Sequence, residues 1–202
     1  MNRPCASVPC VLLLVLLSVG LSAQGRGRGC GGGTGNGSVP PTLLTVYDNT
    51  EYGMKFPAPP DFSVFTPEQP GRFRQMFADR RIIYMIDSMG TEASVSVRYL
   101  PKATDAELSG FKSTMETNPP QAKLPEYKKI SVGMIKIGTA RDKDAVEYVY
   151  DSKAKDTVTR TRQVVFLHNG NGFIFTCVAP QKEYPSVDGK SFQRLFATIE
   201  FK

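Results

Sequence analysis

Apolar and polar residues alternate over long stretches of the chain's second half, and the period of two predicts strands there. Lys128 to Gly138 places Ile130, Val132 and Met134 on one face. Asp144 to Tyr150 follows, with Asp151-Ser152-Lys153 read as a turn, and Thr157 to His168 forms a long strand. Asn169-Gly170-Asn171-Gly172 tolerates positive φ and predicts a tight hairpin into Phe173 to Ala179, which Pro180 closes. Nearer the start, 43–48, 52–56 and 63–65 are short extended runs separated by proline turns, since proline cannot sit in a central strand. The runs 81–87 and 91–99 flank Gly90 as a hairpin, with Ala93, Val95, Val97 and Tyr99 on one face and Ser94, Ser96 and Arg98 on the other. Helical spacing appears twice. Thr104-Asp105-Ala106-Glu107 is a capping box ahead of Leu108, Phe111 and Met115, and Asn118-Pro119-Pro120 stops that helix. A second helix is predicted between about Asp188 and Thr198, with Phe192, Leu195 and Phe196 on its apolar side and Ser191 or Asp188 as its cap.

Short turns between neighbouring strands imply antiparallel pairing, and two one-sided helices must each cover the sheet. The expected class is therefore α+β: a single domain, residues 42–202, with a central antiparallel sheet of about six or more strands flanked by helices. Residues 1–41 do not follow this pattern. Arg3 precedes the apolar run Val11 to Val19, and Leu21-Ser22-Ala23 supplies small residues before Gln24, so 1–23 reads as a cleavable secretory signal. The run is too short for a spanning helix, which needs about 20 apolar residues; an uncleaved anchor is the alternative. Residues 24–41, QGRGRGCGGGTGNGSVPP, can build no core and read as a flexible Gly-rich tether. The tether has no lysine and no flanking strand and helix, so it is not a phosphate loop. Asn36-Gly37-Ser38 is a glycosylation sequon that matters only in a eukaryotic host. The expected location is secreted or periplasmic, with no membrane span after cleavage.

Charge changes little. The net +6 includes Arg3, Arg26 and Arg28, no acid precedes residue 42, and the remainder holds 22 bases against 19 acids. Arg160 and Arg162 share one side of a strand, and Lys128, Lys129, Lys136 and Arg141 lie in neighbouring segments. Together these six make a candidate basic face for a partner. Aromatic residues are not interleaved with them as nucleic-acid binding requires. Catalytic residue types are sparse. His168 is the single histidine, read as a solvated residue at a strand tip; a hydrolase would have to be built around it. No Gly-x-Ser-x-Gly elbow occurs, and Asp188-Gly189-Lys190-Ser191 carries Tyr184 where a phosphate loop needs glycine. Asp142-Lys143-Asp144 lacks the remaining calcium-loop residues. Cys5 and Cys10 fall in the signal, Cys30 in the tether and Cys177 in a strand, where it reads as a small buried residue. These patterns predict no catalytic residue, no metal site and no cofactor.

Two stretches resemble the PsbP-like superfamily of photosystem, bacterial envelope and Ran-binding proteins. The first is Tyr47-Asp48-Asn49 with Glu51-Tyr52-Gly53-Met54-Lys55-Phe56-Pro57-Ala58-Pro59-Pro60. The second runs from Arg162-Gln163-Val164-Val165-Phe166 through Asn169-Gly170 to Phe173-Ile174-Phe175-Thr176-Cys177, then Tyr184-Pro185 and the helix through Phe192. The resemblance covers about residues 43–202. It implies an α/β/α sandwich that binds or organises a protein partner in the envelope or extracellular space. A carrier with a small apolar ligand between sheet and helix is the rival expectation. The family's metal-ligating histidines have no counterpart beyond His168, so no ligand carries over. A thylakoid-lumen location would require a photosynthetic host, and the plain leader lacks the longer bipartite transit sequence of a photosystem subunit.

Overall fold

The structure, a computed structural model, describes residues 46–65, 82–88, 92–154 and 156–202. The signal and tether, the start of the first strand at 43–45, the turn through Pro67 and Pro70 and the turn at Gly90 lie outside these. Ten strands are described: β1 Val46–Asn49, β2 Met54–Pro57, β3 Phe62–Phe65, β4 Ile82–Ser88, β5 Ser94–Leu100, β6 Lys128–Ile137, β7 Lys143–Ala154, β8 Thr157–His168, β9 Asn171–Pro180 and β10 Glu200–Phe201. Helix α1 spans Asp105–Thr117. A C-terminal helical segment runs through α2 Tyr184–Val187, a π turn Asp188–Phe192 and α3 Gln193–Ala197. The main sheet has seven antiparallel strands in the order β3-β4-β5-β9-β8-β7-β6, and β1-β2-β10 forms a second, three-stranded sheet.

Alternation along the central strands sends side chains to two separate cores. Val146, Tyr148 and Tyr150 of β7, Val165 of β8 and Ile174 of β9 meet Phe111 and Met115 of α1 on one face. On the other, Ala145, Val164, Phe166, Phe173, Phe175 and Cys177 pack with Phe192, Leu195 and Phe196 and with Met54 and Phe56 of the small sheet. The sheet is thus covered on both sides, giving the α+β sandwich that the pattern predicts.

Local signals formed as expected where they are satisfied locally. The Thr104 side chain accepts from the Glu107 amide and the Glu107 carboxylate accepts from the Thr104 amide, closing the capping box. Asn169 and Gly170, at φ +49° and +69°, make the two-residue turn between β8 and β9.

Four expectations are corrected. Asp151-Ser152-Lys153 is not a turn: β7 pairs with β8 as far as Ala154↔Thr157, because Arg160, directly across the ladder, neutralises Asp151 within the sheet. The second helix begins at Tyr184, so Asp188 and Ser191 are inside the helical segment and cap nothing. Pro185 is tolerated because it sits in the first turn, where its missing N–H has no partner to lose. The face expected to carry Ile130, Val132 and Met134 is interrupted at Ile130, where the register shifts between Lys129 and Ser131, and Ile130 and Met134 are 41% and 51% exposed. His168 is 7% exposed, not solvated, because the small sheet folds over it.

Candidate functional site

The six basic residues proposed as one face divide between two sides of the sheet. Arg160 and Arg162 point toward the C-terminal helical segment, where their guanidiniums lie 5.4 Å over the Tyr184 ring and 5.1 Å over the Phe196 ring. Lys128 pairs in register with Asp151, whose carboxylate meets Arg160, and so shares that side. Lys129 and Lys136 pair with Tyr150 and Asp144 and stand on the α1 side. Arg141 is in the turn after β6, at φ +52°.

Both arginines are neutralised. Arg160 grips Asp151 bidentately, Nε to Oδ1 at 2.7 Å and an Nη to Oδ2 at 2.9 Å, and the Gln181 amide donates to the same carboxylate at 2.7 Å. Burial alone would raise the Asp151 pKa. The Arg160 and Gln181 hydrogen bonds outweigh that and hold it below the usual carboxylate value. Arg162 bridges Glu147 at 2.6 Å and Asp188 at 2.8 Å, and Asp188 also accepts from Tyr184 Oη and Gln193 Nε2. Burial disfavours the Arg162 charge, and the two carboxylates more than restore it. The cluster around α2 and the π turn therefore sets two guanidiniums against three carboxylates and is not a cationic surface. Its sequence signal was the Arg160/Arg162 spacing; the carboxylates come from two other elements and could not be assigned by spacing.

His168 joins the two sheets. Its Nε2 donates to the Gly53 carbonyl at 3.0 Å, and its ring lies 4.9 Å from that of Phe201. Burial, with Lys143 nearby, lowers its pKa against the opposing effect of the Gly53 and Lys202 backbone hydrogen bonds. Cys177 is fully buried, and burial pushes its thiol pKa far up, which makes it unreactive. Among the described residues no group of three His, Cys, Asp or Glu side chains is placed to hold a metal, and no helix is long and apolar enough to cross a membrane.

The α1 side of β6 differs from this paired interior. A shallow open depression of about 300 Å³ lies between α1 and β6, lined by Leu108, Ser109, Lys112, Ser113, Glu116, Met134 and Val146. Lys112 pairs with Glu116 at 2.6 Å and Lys136 with Asp144 at 2.8 Å. Lys129 Nζ donates to the Glu116 carbonyl at 2.6 Å and meets no carboxylate among the described residues. Sequence reasoning identified these lysines and missed the groove, which exists only because α1 crosses the edge of the sheet.

No family model matches the chain, and no curated protein matches it significantly. Solved structures do. The cyanobacterial PsbP (CyanoP) of Synechocystis superposes with a TM-score of 0.54 at 13% identity, over 84% of this chain and 98% of that one. A protein from Bacteroides thetaiotaomicron gives 0.51 at 12% identity, over 80% of this chain and 49% of that one. LpqN of Mycobacterium tuberculosis, described as involved in cell envelope biogenesis, gives 0.50 at 11% identity over 74% and 83%. Likeness at such identity concerns architecture alone, and the architecture is PsbP-like.

Proposed function

We propose that the protein is a non-catalytic binding or assembly module that works outside the cytoplasm through protein–protein contacts. The observation that carries this reading is where the charged groups are placed. The strongest ionic cluster, around Arg162, is spent on holding the C-terminal helical segment to the sheet, while the half-covered apolar surface lies at the β6 edge. The single histidine is also committed to structure, joining the two sheets. Aromatic side chains fill both layers beside the sheet, which favours a surface partner over an enclosed ligand. LpqN, a structural neighbour described by its part in envelope biogenesis, and the apolar segment after Arg3 both support the location. The test is cross-linking of the tagged full chain in its host, followed by fractionation. A discrete adduct outside the cytoplasm is expected. Retention in the cytoplasm, or a monomer that yields no adduct, would overturn the reading.

A further inference from the structure

The exposed flank of β6 carries more information than its hydrophobicity. β6 pairs with β7 on one side and with no strand on the other among the described residues, so its outer backbone groups are free to accept a further strand. The register places Val132 and Met134 on the α1 side, beside the depression, with Lys129 before them and Lys136 after them on the same side. Ile130, 41% exposed, lies where the register shifts between Lys129 and Ser131. The edge thus presents free main-chain groups, an apolar centre and a cation at each end.

Resting on the reading of the protein as a binding module, we infer that β6 is its docking strand. The partner is an extended peptide segment that adds to the sheet edge, with alternate residues apolar opposite Val132 and Met134 and acidic opposite Lys129 and Lys136. Main-chain hydrogen bonds supply affinity, and the depression under Leu108 and Met134 receives an apolar side chain. The lysines select the occupant. A second copy of this chain, paired antiparallel about Gly133, would bring its Lys136 opposite Ile130 and so beside Lys129 on the α1 side, which like charge disfavours. An acidic strand turns the same two positions into attractions. The net charge of Lys129 is available to it, and the Lys136–Asp144 pair is exposed and screened, so it exchanges partners at little cost.

The test is selection of a displayed random-peptide library on the full chain, followed by affinity and amide-exchange measurements with the enriched peptides. Enriched sequences should alternate apolar and acidic residues and protect β6 amides. They should bind at least tenfold more weakly to Met134→Asp and to the Lys129→Glu/Lys136→Glu pair. All three positions are exposed, and an unchanged melting temperature verifies that each variant folds. Peptides without acidic residues, protection on another element, or no enrichment would overturn the inference. So would dimerisation that Met134→Asp abolishes, or binding to phosphatidylglycerol vesicles that the lysine pair abolishes without peptide binding. These results leave the module reading intact if the in-host adduct still forms and maps away from β6; loss of that adduct in wild-type protein would remove both.

Discussion

Arg162 shows why a buried charge is tied to its partners more than to any outside ligand. Its side chain is 12% exposed, and those of Glu147 and Asp188 are 21% and 16% exposed. Arg162→Met leaves two carboxylates in a poorly solvated site and should cost about 3–5 kcal/mol in urea unfolding. Adding Glu147→Gln and Asp188→Asn should restore much of that loss, because the cost comes from the uncompensated charges. His168 permits a cleaner test, since no other histidine titrates in the chain. Its folded pKa lies below the ordinary value, so the fold favours the neutral ring and acid destabilises it. Stability from this group is complete above about pH 6.5 and falls as the pH drops toward the folded value. The Asp151 carboxyl, also shifted down, loses its contribution only at more acid pH, beneath about 3.9. Melting temperature should therefore decline from pH 7 to pH 5 in wild type, and the decline should flatten in His168→Gln. An equal slope in both would refute this role for the ring.

At the scale of elements, what could be read in advance was what neighbouring residues satisfy among themselves. The capping box is one such case. Thr104→Ala should cost about 1 kcal/mol of stability and Thr104→Ser almost nothing, by thermal or urea unfolding, because only the hydroxyl acceptor matters. The Asn169-Gly170 turn was equally legible, since few dipeptides accept two positive φ values. The end of β7 was not. Asp, Ser and Lys in succession favour a turn when judged alone, and the residue that makes them a strand is Arg160, on the next strand. The small sheet was hidden for the same reason: β10 has two residues, and its pairing with β2 spans most of the chain. Of the candidate site, the lysines of β6 were legible as cations. Their separation from Arg160 and Arg162 was not: the pleat sends Lys128 and Lys129 to opposite faces, and the register shift between Lys129 and Ser131 puts Lys129 on the face of Val132, Met134 and Lys136.

The seven-stranded sheet has a core on each side, and the two cores depend differently on the chain's last residues. The α1 core uses α1, β6, β7, β8 and β9 and never touches the small sheet. The opposite core is closed by β10, whose Phe201 packs against Phe166 and His168 while the Lys202 amide donates to the Gly53 carbonyl at 2.9 Å. Gly53 sits at φ +63°, and a Cβ there would also lie 2.7 Å from the Asn169 side-chain nitrogen and 2.9 Å from the His168 ring nitrogen, so a substitution is strained. The small sheet is held to the main one by the apolar layer of Met54 and Phe56 and by this joint, where two distant segments meet one ring. Phe201→Ala removes the apolar half of that joint and should cost about 2–3 kcal/mol, a partly buried aromatic being worth less than a fully buried one. The loss should be local before it is global, because β10 pairs with β2 and Phe201 packs on the face of the sheet opposite α1. Hydrogen exchange in Phe201→Ala should accelerate at the amides of β1 and β2 while α1, β6 and β7 keep their protection. Uniform acceleration across both faces would mean that the two cores unfold as one unit. Retention of β6 protection in this variant would also place the proposed docking edge on the half of the molecule that stays folded when the other half opens.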